Sequence, residues 1–311
     1  MTTSWRPLSL VAILGLATAT TGRPSIASAQ QSASPGPPAA GAALPSPRED
    51  KPSPPIRDFD LETLSRLGRE IYRHDQLAWT ATDVVVAKVG EAQMRVERCN
   101  GWVVDTSGPA PLVRFVRKTA AGEEAAYDVR FPKGADPTFE VPANRTLTPK
   151  QSSARTALLT ALAPFEAGKY PLCRARGNYN FVVLDDPAGD GFLVYLLRPK
   201  DSSDSVPIGG HYRISVAPDG KTIKQVDRLS ATCLTINKSE LVGSDGKLVA
   251  IGMNHVVSAT PLETHVFLSL QEGLPFYVIT KDGRSWMVEN GTIKAPTEKS
   301  PAANATKSAK P

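Results

Sequence analysis

The chain has 311 residues, 41% of them hydrophobic, with 36 Lys and Arg against 31 Asp and Glu, giving a net charge of +5. That length permits one large domain or two small ones. The basic surplus is small and no dense basic stripe with interleaved aromatic residues occurs, which argues against nucleic-acid binding.

The first 29 residues have the pattern of an export signal. Arg6 supplies a basic start, an apolar run covers residues 8–19, and Ala27-Ser28-Ala29 is a small-x-small motif, so we predict cleavage after Ala29. The apolar run is shorter than the roughly 20 residues needed to span a bilayer. We therefore expect a periplasmic or secreted bacterial protein with no transmembrane segment in its mature chain.

Two segments have a composition typical of disorder. Residues 30–57 and 295–311 are rich in Pro, Ala and Ser and hold very few residues that could join a core. Such segments bury too little apolar surface to offset the entropy lost on ordering. The prediction is a linker, a globular region over residues 58–294 with a sub-boundary near 140–150, and a tail.

Two helices are marked in the globular region. Apolar residues at spacings of three and four follow Asp58 and Asp60, both N-cap candidates, and the pattern resumes toward Gly90. This predicts one long helix, or two helices broken near His74-Asp75. The second helix has a capping box, with Thr148 as N-cap, a proline next, and a glutamine at the third position.

The rest of the globular region reads as short strands joined by tight turns, which predicts an α+β fold with antiparallel, hairpin-rich sheet. The order of elements suits either two helix-on-sheet halves or two sheets that share one core. The apolar run 192–197 does not alternate, so we expect it to be a central strand covered on both faces. The predicted strands are Gln93–Arg98, Trp102–Val104, Leu112–Lys118, Ala126–Phe131, Phe181–Leu184, Phe192–Leu197, Arg213–Ala217, Thr222–Val226, Lys247–Gly252, Val266–Leu270, Phe276–Thr280 and Ser285–Val288.

Three cysteines allow one disulfide bond. Export makes a bridge plausible, and we favour Cys173–Cys233 because both residues lie at ends of predicted elements and would close a long loop. The alternative is that these two and Cys99 are all reduced and act as small apolar fillers.

Five residues are the candidates for ligand binding. His211 and Arg213 alternate with apolar neighbours, so they are predicted to lie on the solvent face of a strand, where they could bind an anion. Glu263 and His265 share a face of another predicted strand, and His255 lies ten residues before His265. One carboxylate and two imidazoles would suit zinc if they converged, but the spacing matches no metal motif, so we predict neither metal nor cofactor.

No catalytic set is identified. The order of His211 and Cys233 is similar to that in envelope transpeptidases with a Cys nucleophile, but Ala231 and Thr232 replace the His and Gly before the nucleophile. A hairpin centred on Asp219-Gly220 would also place the two side chains roughly 16 Å apart along the sheet, too far for a nucleophile and its base.

Three stretches resemble segments of uncharacterised secreted proteins of Gram-negative bacteria: Ile71–Asp75 running on to Trp79 and Asp83, Gly209–Arg213 with Pro218-Asp219-Gly220, and Thr264–Phe267. The resemblance implies a periplasmic or secreted location and no particular activity. Since no nucleophile–base pair is found, we expect a non-enzymatic binding or structural module of the cell envelope, whose partner is an envelope component or a small ligand. The alternative is an envelope hydrolase or metalloenzyme that uses clustered histidines.

Overall fold

The computed structural model describes residues 55–173, 179–242 and 246–297, and these residues belong to one compact unit. The described residues form three α-helices, a 3-10 helix and fourteen strands, which confirms the α+β fold. The helices are α1 (Leu61–Val96), α2 (Pro149–Glu166), α3 (Glu263–Glu272) and the 3-10 helix (Lys238–Leu241). The strands are β1 (Cys99–Asp105), β2 (Leu112–Thr119), β3 (Gly122–Arg130), β4 (Thr138–Glu140), β5 (Asn180–Asp185), β6 (Phe192–Leu197), β7 (Ser205–Val206), β8 (Tyr212–Val216), β9 (Ile223–Arg228), β10 (Ile236–Asn237), β11 (Ile251–His255), β12 (Phe276–Thr280), β13 (Ser285–Glu289) and β14 (Thr292–Thr297).

Twelve of these strands form three four-stranded sheets. The first sheet has the order β1-β2-β3-β4 and the second has the order β5-β6-β8-β9, both antiparallel. The third has the order β11-β12-β13-β14, in which β11 and β12 are parallel and the other pairs antiparallel. β7 and β10 form a separate two-stranded ribbon.

Helix α1 runs without a break through His74-Asp75, which excludes the broken alternative left open by the sequence, and a kink at Gly90 interrupts it near its end. Asp60 is its N-cap and accepts a 2.7 Å hydrogen bond from the Thr63 N–H. The helix continues through residues 74 and 75 and has non-helical backbone only at Gly90, where φ is +78°. Because helical structure extends to Val96, the predicted strand Gln93–Arg98 is wrong, and the Asn-Gly pair that follows lies inside β1.

Helix α2 agrees with its sequence signals. Thr148 accepts from the Gln151 N–H, and the Gln151 side chain accepts from the Thr148 N–H, so both halves of the capping box are present. The buried face of this helix, which includes Leu158 and Phe165, packs against apolar side chains of the second sheet.

Helix α3 replaces the predicted strand Val266–Leu270, which is wrong. The helix lies between its own sheet and α1, so Val266, Leu268 and their neighbours are all buried and no polar stripe reveals a helical period. The approach to α1 is close: a side chain at Gly68 would come within 2.4 Å of Val266. The chain β11–α3–β12 is thus a crossover joining two parallel strands.

The predicted disulfide bond Cys173–Cys233 is confirmed, with the two Cα atoms 5.5 Å apart. Cys99, half-buried on β1, is a free thiol. Across the described ranges, the structure contains no helix with the length and hydropathy needed to cross a membrane.

Candidate functional site

The structure brings the five candidate residues together in two pairs and leaves one apart. Arg213 on β8 contacts Glu263 at the start of α3, with 2.8 Å between the nearest nitrogen and oxygen. His255, at the end of β11, contacts His265 on α3, with ring centroids 4.7 Å apart. His211 contacts neither pair by hydrogen bond. Within the described ranges, no group of three or more His, Cys, Asp or Glu could hold a metal ion.

Arg213 is the centre of a buried ionic cluster. Its side chain is completely buried and donates to the carboxylates of Asp227 on β9, at 2.9 Å, and Glu263, at 2.8 Å. The Tyr195 hydroxyl donates to the same Glu263 oxygen at 3.0 Å. The neighbouring anions and hydrogen bonds raise the pKa of Arg213, outweighing the opposing effect of its burial. The second Glu263 oxygen has no hydrogen-bond partner among the described residues.

The chain just before α1 covers this cluster. We call Pro55–Phe59 the N-terminal strap. The Arg57 carbonyl accepts from Arg213, and the Arg57 guanidinium binds both carboxylate oxygens of Asp186, which is buried. The Phe59 ring lies 4.8 Å from each of the two guanidinium carbons, a cation–π distance. We define the buried ionic cluster as these two arginines with Asp186, Asp227 and Glu263.

The expectation of a solvent face for His211 and Arg213 is therefore wrong. The alternation along β8 is real, because Tyr212 and Ile214 pack toward α2. The opposite face is nevertheless buried as well: His211 is 1% exposed and Arg213 is 0% exposed. The strap and α3, both distant in sequence, contact Arg213, while Arg198 and Pro207 contact His211, so neither side chain faces solvent.

The three candidate histidines are hydrogen-bonded, and burial lowers the pKa of each. His211 accepts from the Arg198 N–H at 3.1 Å through Nδ1, and its Nε2 lies 2.7 Å from the Pro207 carbonyl. Burial lowers the pKa of His211 to about 4 and the pKa of His255 to about 4. Burial, together with repulsion from other imidazoles, also holds the pKa of His265 well below its ordinary value.

The contact between His255 and Ser258 is the nearest approach to a nucleophile–base pair at these candidate residues. His255 Nε2 lies 2.6 Å from the Ser258 hydroxyl oxygen. That hydroxyl donates its hydrogen to the Thr260 carbonyl at 2.6 Å, so the imidazole acts as the donor and Ser258 as the acceptor. An imidazole that donates to the serine is not placed to remove its proton, and this geometry does not activate a nucleophile. Cys233 is no nucleophile either, since it forms the disulfide bond.

The sequence reasoning missed members of the buried ionic cluster and the tyrosine that contacts it. Tyr195 lies in the continuous apolar run of β6, which gave no sign of a polar role. Asp186 follows β5 in a turn, and Arg57 falls in the segment assigned to the linker. Arg57 contacts Asp186 and Asp227, which lie 129 and 170 residues away from it in sequence. No local sequence pattern could have linked these residues.

Two concave regions are candidates for a small ligand. The first is a cavity of about 40 Å³ between α1, β1, α2 and β5, lined by residues that include His74, Trp102 and Phe181. It has room for little more than a water molecule. Small-molecule pockets are usually ten times larger, about 300–1,000 Å³.

The second is a shallow, open depression of about 310 Å³ where α1 ends, lined in part by Arg98, Arg117 and Lys118. Arg117 is already paired with Glu97 and Glu124. The carbonyl end of a helix also disfavours anions. The first region is therefore too small for a ligand, and the second lacks the enclosed, apolar shape of a ligand site.

On the part of the chain that the structure describes, one face of the third sheet is exposed along β11 and β12. The inner face of this sheet packs against α3, and residues of the opposite face alternate outward along β11 and β12. Tyr277 and Ile279 on β12 are 45% and 44% exposed, and Gly252 and Asn254 beside them on β11 are exposed too. A side chain added at Gly252 would meet nothing within 4 Å. We call these four residues, with the half-buried Met287 opposite Tyr277 on β13, the open face.

No protein-family model, no curated protein and no solved structure matches this chain.

Proposed function

We propose that this protein is an exported, non-catalytic binding module of the cell envelope, and that the open face of the third sheet binds a protein partner. The observation that carries the proposal is the contrast in exposure. Tyr277 and Ile279 form an apolar patch in solvent, while Arg213, Glu263 and the three candidate imidazoles are buried. Exposed apolar clusters on a sheet commonly mark protein interfaces.

Export is supported by the signal pattern of residues 1–29 and by the disulfide bond, because disulfides persist in oxidising compartments. A protein partner is favoured over a small ligand because the face is flat and Tyr277 is an amphipathic aromatic residue of the kind enriched at interfaces.

The test is site-specific photo-crosslinking in the host envelope. A photo-reactive amino acid at Tyr277 should give a defined protein adduct, and the same group at Leu159, an exposed apolar residue on α2, should not. Adding Ile279→Lys to the Tyr277 probe should abolish the adduct, because a lysine in the patch opposes apolar contact. Equal adducts from Tyr277 and Leu159, or an adduct that survives Ile279→Lys, would contradict the proposal.

The hydrolase alternative is tested by Ser258→Ala, which removes the hydroxyl that contacts His255. The binding proposal predicts unchanged crosslinking from Tyr277 in this variant. Loss of a measurable esterase or amidase activity of the purified protein on Ser258→Ala would instead favour catalysis.

A further inference from the structure

The outer edge of β11 differs from the other edges of the three large sheets. An edge strand offers unpaired backbone groups, and proteins usually protect such strands with charged side chains or proline. Every other edge strand of these sheets carries at least one Asp, Glu, Lys or Arg, and β14 also contains a proline; these strands are β1, β4, β5, β9 and β14. β11 has the sequence IGMNH and carries no charge, since burial lowers the pKa of its only titratable residue, His255, to about 4.

The unprotected region is longer than the strand itself. Residues 248–257 contain no Asp, Glu, Lys or Arg. Within this stretch Val249 is 74% exposed and Val256 is 55% exposed, and the open face lies directly beside it. An uncharged edge next to an exposed apolar face is a template for strand pairing.

The backbone groups on this edge can be assigned. The Ile251 N–H donates to the Pro275 carbonyl, so Ile251, Met253 and His255 direct their backbone groups toward β12. Alternation along the strand then directs the N–H and C=O groups of Gly252 and Asn254 away from the sheet. No described strand pairs with β11 on that side.

We propose that β11 pairs antiparallel with β11 of a second copy of this chain, in the register that places Gly252 opposite Asn254 of the copy. In that register both residues are in hydrogen-bonding positions, and Met253 lies on the two-fold axis. The two third sheets would become one continuous eight-stranded sheet, with the open faces of both copies side by side. This inference rests on the proposed function, because pairing through β11 would join the open faces of two copies into one larger binding surface.

The choice of a second copy follows from self-complementarity. The outward-facing residues are Gly252, which has only a hydrogen atom, and Asn254, which has a short amide, so the two strands can approach without a clash. Because the stretch has no charge, a copy brings no like charges together. A two-fold interface needs a surface that complements itself in this way.

The first experiment measures the mass of the purified mature protein by light scattering at micromolar concentration. We expect a dimer for the unchanged protein and a monomer for Asn254→Lys, which places like charges on the paired edges. The matched control is Thr292→Lys on the opposite edge of the same sheet, which should remain a dimer. A monomeric unchanged protein, or a dimer that survives Asn254→Lys, would overturn the inference.

A second experiment tests the register and holds even if Asn254→Lys folds poorly. Gly252→Cys and Asn254→Cys are made separately, each with Cys99→Ser, and then mixed under mild oxidation. Hydrogen-bonded antiparallel partners have Cα atoms about 5.5 Å apart, which suits a disulfide bond. We expect the crosslinked dimer mainly in the mixture, and equal yields in the mixture and in either variant alone would overturn the register.

The experiments can refute the β11 dimer without refuting the open face as a binding surface. If the protein is monomeric and the cysteine pair does not crosslink, but the Tyr277 probe still gives an adduct that Ile279→Lys removes, the second copy is wrong and the binding face stands. If the Tyr277 adduct is also missing, both proposals are wrong.

Discussion

The buried ionic cluster and the open face lie in the same compact unit and reverse the usual distribution of residue types. The cluster places Arg213 and three carboxylates in the interior and Arg57, 24% exposed, at its margin, whereas the open face leaves Tyr277 and Ile279 in solvent. Charged and titratable residues therefore do not mark the proposed binding surface in this protein. In this molecule, charged side chains join distant segments of the chain, and apolar side chains of the third sheet are left exposed.

Arg213→Met should produce the largest effect, because it removes the shared cation of Asp227 and Glu263 and leaves both carboxylates buried. Breaking a buried pair in this way costs about 3–5 kcal/mol in the free energy of unfolding. Urea unfolding measures this loss of stability, with Arg95→Met as the control, since Arg95 is 64% exposed in its pair with Glu91. A loss as small as that of the control, under about 1 kcal/mol, would show that the cluster does not hold the fold together.

Acidification should give the next largest effect. The pKa of His211 and of His255 is lowered to about 4 in the folded state, so unfolding takes up protons below the ordinary pKa of an imidazole. Stability should therefore fall as pH drops through about 6.5, by on the order of 1–2 kcal/mol per imidazole at pH 5, and the loss should level off near pH 4. The pKa of Asp75 is raised to about 6, which opposes this trend in part.

Urea midpoints at pH 7 and pH 5 check this pH dependence. His255→Gln is the matched variant, because its amide can still donate to Ser258 and does not titrate. We expect a smaller pH dependence for this variant, and an unchanged one would mean that His255 is not held neutral in the folded protein.

Arg57→Ala should have an intermediate effect. It removes the bidentate partner of Asp186, which keeps only the hydrogen bond from the Ala188 N–H among its side-chain contacts. Loss of a charged hydrogen-bonded pair costs about 2 kcal/mol, and the strap should become sensitive to protease near Phe59. Arg284→Ala, which breaks a more exposed pair with Asp282, serves as the comparison. Equal stability and equal protease resistance in both variants would argue against an anchoring role for the strap.

Ile279→Asn should have the smallest effect on stability, within about 0.5 kcal/mol, as for most exposed positions. The side chain lies in solvent, so its loss leaves no cavity. Thermal unfolding measures the change, and a loss above 1 kcal/mol would show that Ile279 is part of the core. Together with loss of crosslinking in Ile279→Lys, a neutral result would separate binding from folding on this face.

Local signals predicted a large part of the fold. The capping box at Thr148, the cap at Asp60 and the turn at Asp219-Gly220 all involve residues within four positions of one another, and the structure contains each of them. The disulfide bond was also predicted, from the positions of its cysteines at element ends. The caps and the turn need only near neighbours in sequence, which is why they can be predicted without a structure, whereas the two cysteines are 60 residues apart and were paired by the rule that a bridge closing a long loop stabilises most.

The errors arose where distant segments meet. Helix α3 is buried between α1 and its own sheet, so the polar stripe that identifies a helix is missing, and a strand was predicted instead. The row of His211 and Arg213 was placed in solvent because nothing near it in sequence indicates that the strap covers it. The pair of Arg213 and Glu263 joins positions 50 residues apart, and the open face depends on the order of strands in the third sheet.

The strap also determines how the domain would respond to mechanical tension. A pull on the chain ahead of Pro55 reaches Arg57 before it reaches α1, and Arg57 is joined to the second sheet through Asp186 and through its own carbonyl. The load would therefore pass into β8 and the β5–β6 turn instead of unwinding the first turn of α1. If the protein is held by its N-terminal side, tension would in this way act on the buried ionic cluster first.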